Sequence, residues 1–238
     1  MWFLLVIACA ALTIGRASAE VTTRVVDVPT RGVTQRFVHV RPDKPLANIV
    51  FLPGHTGDFS FADDGSTPTI VGQCAPLRRT REAFAARGYA VALVDQASDG
   101  KIRQYGDILA VVEHLRARDK VPTWIVGGSA STTAALEFAV ELPPGEPLGV
   151  VVFSPWLPEL SLAARVKRPT LIIYHAADAP VLPRVGPLFD ALSAAPVRER
   201  ISLTGGTNEG CGHHLFAGIE AEFVAAVAGF LDRHSRRN

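Results

Sequence analysis

The sequence predicts a three-layer α/β fold, in which one mostly parallel sheet of eight strands, with an antiparallel N-terminal edge, is covered by helices on both faces. Eight short β-type runs recur along the chain, and segments with helical spacing separate most of the later ones. The later runs are almost solidly apolar, whereas the first two alternate with polar residues. Solid apolar strands suit a parallel sheet buried on both faces, and alternation suits a strand with one wet face.

The alternating pair is "TRVVDV" (23–28) and "QRFVHV" (35–40). The remaining strands are "NIVFL" (48–52), "AVALVD" (90–95), "TWIVG" (123–127), "LGVVVF" (148–153), "PTLIIYH" (169–175) and "ERISL" (199–203). Helical spacing covers 76–87, 102–118, 129–142, 183–195 and 217–234. Strands that alternate with helices build βαβ units. The connection from 154 to 168 is brief, which predicts an open site without a large lid domain.

With 238 residues, 48% of them hydrophobic, the chain can bury a core without metals or a dense disulfide framework. Lys plus Arg number 24 against 23 Asp plus Glu, so no charge excess marks a nucleic-acid or anionic-membrane surface. The basic end "RHSRRN" reads as a solvated tail.

Residues 1–19 read as a secretory signal. Trp2 to Ile14 carry no charge, and Ala17 and Ala19 are the small residues that precede a cleavage site. The apolar run is shorter than the roughly 20 residues a membrane span requires. The expected mature protein is one domain, 20–238, periplasmic or secreted, with no stable membrane insertion once the signal is removed. The alternative is a lipoprotein box, "VIAC" (6–9), with Cys9 lipidated. Export leaves Cys74 and Cys211 in an oxidising compartment, either paired or as two separate buried thiols.

The chemistry centres on "WIVGGSASTTAAL" (124–136), where a strand turns into a helix at Ser129. A nucleophile on such a corner sits in a strained backbone with strand and helix close together, so its neighbours must be small. Gly127, Gly128, Ala130 and Ser131 meet that demand. The helix behind Ser129 offers unpaired N–H groups to a developing anion. The plainer reading is that Ser129 only caps the helix.

A serine hydroxyl needs a base and a group that orients the base. Asp178 follows the run "PTLIIYH", and Asp95, at the end of an earlier strand, is the alternative acid. The loop "TGGTNEGCGHHLF" (204–216) offers His213 and His214 as bases. An oxyanion site needs the N–H of Ala130 and a second donor, for which "FLPGHTGDF" (51–59) supplies His55 or, next, Thr56. Trp156, Leu157 and Phe59 either line an apolar pocket or belong to the core. No histidine spacing matches a metal motif, so neither metal nor other cofactor is expected.

Over nearly the whole mature length the chain resembles the α/β-hydrolase superfamily, and within it the small single-domain exported bacterial hydrolases of dienelactone-hydrolase outline. The resemblance rests on "LPGHTG" (52–57), "VALVDQASD" (91–99), "YGDILAVVEHL" (105–115), "WIVGGSAS" (124–131), "IIYHAAD" (172–178) and "GCGHHLFAGIE" (210–220). It implies a Ser129, Asp178, His214 triad, with His214 preferred because "HLFAGIE" matches the register of the family histidine. The implied reaction is hydrolysis of a small-molecule carboxylic ester through an acyl-enzyme. Thioester or peptide cleavage on the same triad, and a non-catalytic binding protein on the same fold, are the alternatives. Two departures stand out. Ser131 replaces the usual glycine, and Ala179-Pro180 follow Asp178 where some relatives have a cysteine able to bridge to one near the histidine. Cys211 therefore pairs with Cys74 or stays free. The substrate and the oligomeric state are not readable.

Overall fold

The computed structural model describes residues 20–55, 57–143 and 149–235; of Ile70 and Val71 only the backbone is described. The expected signal, Cys9 and Thr56 lie outside these residues. Eight strands form one sheet in the order β1-β2-β4-β3-β5-β6-β7-β8. They are β1 (Val21–Thr30), β2 (Val33–Pro42), β3 (Ala47–Leu52), β4 (Tyr89–Ala97), β5 (Thr123–Gly128), β6 (Gly149–Phe153), β7 (Thr170–His175) and β8 (Arg198–Leu203). Strand β2 runs antiparallel to β1 and β4, and all other pairings are parallel.

Each of the five expected helices is present, as α2 (Pro76–Ala86), α3 (Tyr105–Asp119), α4 (Thr132–Glu141), α6 (Leu182–Ala191) and α7 (Glu220–His234). Two short helices, α1 (Ile70–Cys74) and α5 (Leu160–Ala163), and 3₁₀ turns at Ser129–Ser131 and His213–Leu215 complete the chain. They lack enough turns to leave an apolar period. The brief 154–168 connection holds only α5 and carries no lid domain.

The sheet separates two cores. On one face α2 and α7 pack through Leu77, Phe84, Phe223 and Phe230 onto Phe51, Trp124 and Phe153. On the other, α3, α4 and α6 pack through Val111, Leu136 and Leu188 onto Val50, Ile125 and Val152. Side chains that alternate across each central strand fill both layers. The indole N–H of buried Trp124 donates to Ser235 Oγ at 2.9 Å, and the Tyr89 hydroxyl donates to Asp232, which fixes the C-terminal helix beneath the sheet.

The polar alternation of "QRFVHV" does not mark an exposed strand, because β2 lies inside the sheet and β1 is the exposed edge. Buried Gln35 donates to the carbonyl of Asp95. His39 is 3% exposed, and burial pushes its imidazole down to about 4, with Asp119 opposing in part. An imidazole held neutral in the fold but free to protonate when unfolded, near its ordinary 6.5, stabilises fully only above that value. We therefore expect stability to fall by about 2–3 kcal/mol between pH 7 and 4.5 on this account. Urea midpoints for the wild type and His39→Leu at the two pH values test this: the variant should lose measurably less on acidification.

Candidate active site

The loops that leave the carboxyl ends of β3, β5, β6, β7 and β8 meet over one rim of the sheet. At the end of β5 the chain turns through Ser129 at φ 50°, a left-handed conformation uncommon for a side chain with a Cβ. A helix N-cap is extended instead, so the plain capping role is not what Ser129 performs. Thr132 Oγ1 donates to the Ser129 carbonyl at 2.7 Å and starts α4 from it.

The corner leaves no room for larger neighbours. A Cβ on Gly128 would lie 1.8 Å from the Phe153 ring, and one on Gly127 would lie 2.6 Å from both Ala135 Cβ and the Ser131 carbonyl. Gly54, on the loop after β3, abuts the corner closely enough that a Cβ would meet the Gly128 carbonyl at 2.8 Å and Ser129 Cβ at 3.0 Å. Ser131 is fully buried, and its hydroxyl donates to the Pro53 carbonyl. The serine in place of glycine therefore ties the corner to the neighbouring loop. Arg103 donates to the Pro53 and His55 carbonyls at 3.1 Å each and braces that loop from its other side.

Asp178 follows β7 and is 6% exposed. Its Oδ2 lies 2.7 Å from His214 Nδ1, a contact in which Nδ1–H donates to the carboxylate. The two histidines separate cleanly. His213 stacks on the His175 ring, with centroids 4.2 Å apart and planes 7° from parallel, while His214 takes the carboxylate. Buried His175 is itself fixed, accepting from the Ala177 N–H and donating Nε2–H to the Gly205 carbonyl.

Asp95, the alternative acid, is engaged elsewhere. Its carboxylate accepts the backbone N–H groups of Phe59 and Phe61 at 2.8 Å each and that of Ser60 at 3.2 Å, so it shapes the loop after β3. Phe59 is fully buried and stacks on Phe61; Trp156 and Leu157 are exposed. None of these three residues borders the cavity at Ser129.

That cavity has a volume of about 350 Å³, and Ser129, His214, Gly54 and His55 all line it. No hydrogen bond directly links Ser129 to His214 among the described residues. His55 stands at φ 49°, next to the close approach of Gly54, and Ala130 follows Ser129 in the 3₁₀ turn.

Two of the supports escaped the sequence, and a third, the pairing of two cysteines, stood there as one of two alternatives. Buried Ser154, at the end of β6, donates to the His214 carbonyl at 2.6 Å. Arg79 on α2 bonds the carbonyls of Cys74 and Leu215 and the carboxylate of Glu220, binding the histidine loop to α2 and α7. Cys74 and Cys211 form a disulfide with Cα atoms 5.2 Å apart. A position such as Ser154 carries no motif, because its role depends on a loop some 60 residues away.

A scan of protein-family models and a search of curated proteins find no significant match. Solved structures do match. A dienelactone hydrolase from Anabaena variabilis superposes with a TM-score of 0.71 at 18% identity, covering 91% of this chain and 99% of that one. An esterase from Pyrococcus furiosus gives 0.69 at 14% identity, with 91% and 92% covered. The esterase domain of a Rhodothermus marinus protein gives 0.67 at 19% identity, with 90% and 100% covered. The chain has the α/β-hydrolase fold.

The crowding at the corner makes a stability prediction. Gly128→Ala should cost about 2–3 kcal/mol by overpacking against Phe153. Gly229→Ala, inside α7 with only ordinary contact for a Cβ, should gain up to about 1 kcal/mol. Thermal denaturation of both variants checks the contrast.

Proposed function

We propose that this protein hydrolyses carboxylic esters, with Ser129 as nucleophile, His214 as general base and acid, and Asp178 as the group that orients His214. The observation that carries the reading is the meeting of a left-handed Ser129 and a carboxylate-bound His214 on one cavity. Solved structures of like fold named as esterases and a dienelactone hydrolase support the same reaction class.

In this reading the Ser129 hydroxyl attacks the ester carbonyl as His214 Nε2 takes its proton. The Asp178 carboxylate holds the imidazole in the tautomer that can accept, and stabilises the imidazolium formed. The N–H groups of Ala130 and His55 receive the negative charge on the tetrahedral intermediate, each worth about 3 kcal/mol. The first intermediate then collapses to the acyl-enzyme as its ester C–O bond breaks and the imidazolium protonates the departing alkoxide. Water enters, His214 removes its proton, and collapse of the second intermediate frees the acid and restores Ser129. The disulfide supports a further part of the proposal, that the domain from residue 20 onward works in the periplasm or outside the cell, since such bonds persist in oxidising compartments.

Ser129→Ala should abolish hydrolysis of a short p-nitrophenyl ester and labelling by a fluorophosphonate while leaving the melting temperature nearly unchanged. Asp178→Asn should lower kcat by about 10⁴-fold through the wrong imidazole tautomer. Full turnover in Ser129→Ala would reject the assignment.

A further inference from the structure

Building on the ester-hydrolase reading, we propose that the Cys74–Cys211 disulfide is a specificity-determining wall of the acyl site. The site then takes uncharged apolar acyl groups and turns away acyl groups that carry a carboxylate.

The cavity at Ser129 and His214 is lined as well by Phe51, Phe153, Ala75, Pro76, Leu215 and both cysteines of the disulfide. Among the described residues that line it, His55 and His214 are the side chains able to carry a charge. Two guanidiniums bond the backbone of lining residues without lining the cavity themselves, and both are engaged. Arg79 holds the Cys74 and Leu215 carbonyls and Glu220, and Arg103 holds the Pro53 and His55 carbonyls. A carboxylate placed in this cavity loses its water and meets no lysine or arginine in return, a costly exchange. An alkyl chain meets phenyl rings, a proline, a leucine and two sulfurs, and gains from leaving water.

The disulfide matters because of what it holds. Cys74 ends α1, and the next two residues, Ala75 and Pro76, are themselves lining residues. Cys211 lies three residues before His214, in a segment where Gly205, Gly206, Gly210 and Gly212 all stand at positive φ. A loop so rich in glycine has many alternative conformations to lose on ordering. The bond therefore fixes this wall against the start of α2, and cutting it lets the wall recede from the acyl chain.

The test compares p-nitrophenyl acetate, hexanoate and the monoester of adipate, the last matching hexanoate in length but ending in a carboxylate. Wild type should favour hexanoate over both partners in kcat/KM by at least about tenfold. Cys74→Ala/Cys211→Ala, assayed well below its melting temperature, should narrow the hexanoate-to-acetate ratio about tenfold, chiefly through KM. Leu215→Ala, which keeps the disulfide, should narrow it less. A purely structural bond would lower all esters in proportion, and an unchanged ratio overturns the proposal. So does an adipate ester cleaved as well as hexanoate, a comparison on wild type that decides even where the double variant does not fold. Binding of pentyl methyl ketone and the matching keto acid, followed by calorimetry, separates this idea from the reaction itself. Selective ketone binding without ester turnover would leave the acyl-site assignment standing and sink only the hydrolase reading, and equal binding or none would overturn the assignment.

Discussion

At the end of β5 there is space for hydrogen atoms and nothing larger. The Phe153 ring occupies the place of a Gly128 side chain, α4 occupies that of Gly127, and the loop after β3 leans on Ser129 with only Gly54 between. Dense packing on three sides surrounds Ser129 in its left-handed conformation, and the Thr132 hydroxyl holds its carbonyl, the kind of over-determined setting in which a strained backbone persists. The rest follows from that closeness. The same contact that forbids a Cβ on Gly54 brings the backbone of residues 54 and 55 beside the serine, where the proposed ester hydrolysis needs an oxyanion donor.

Around the corner, neighbouring loops are set by buried polar groups, each with a defined partner. Asp95 folds one loop through its three successive N–H contacts, Ser131 and Arg103 hold that loop from opposite sides, and Ser154 and Arg79 hold the histidine loop. In a low-dielectric setting each unmet partner would be costly, so these bonds specify loop positions as well as stabilise them. Precision at the rim thus comes from residues that never border the cavity.

The architecture was legible because periodicity is a local property: solid apolar runs and intervening helical spacing mark all eight strands and the five longer helices. The corner at Ser129 was legible for the same reason, since small residues crowd it in sequence as well as in space. Contacts between distant segments were not. Asp95 and Asp178 both end apolar strands, and only the sheet order decides that one faces the loop after β3 and the other His214. Adjacent His213 and His214 were told apart only by the register of the family resemblance, since which neighbour each ring meets depends on distant segments. The role of Ser131 was hidden because its partner, the Pro53 carbonyl, is 78 residues away.

The bond from the Trp124 indole to Ser235 bears on the order in which this chain can be built. Strand β5 lies in the middle of the sheet, yet the one polar atom of its largest side chain is closed by a residue near the C-terminus. Helix α7 also covers the aromatic face over β3, β5 and β6. Until α7 is in place, α2 is the one long helix on that face among the described residues, and the rings of Trp124 and Phe153 lack their partners Phe230 and Phe223. The docking of α7, and not the completion of the sheet, is then what closes this aromatic core to water and to other chains.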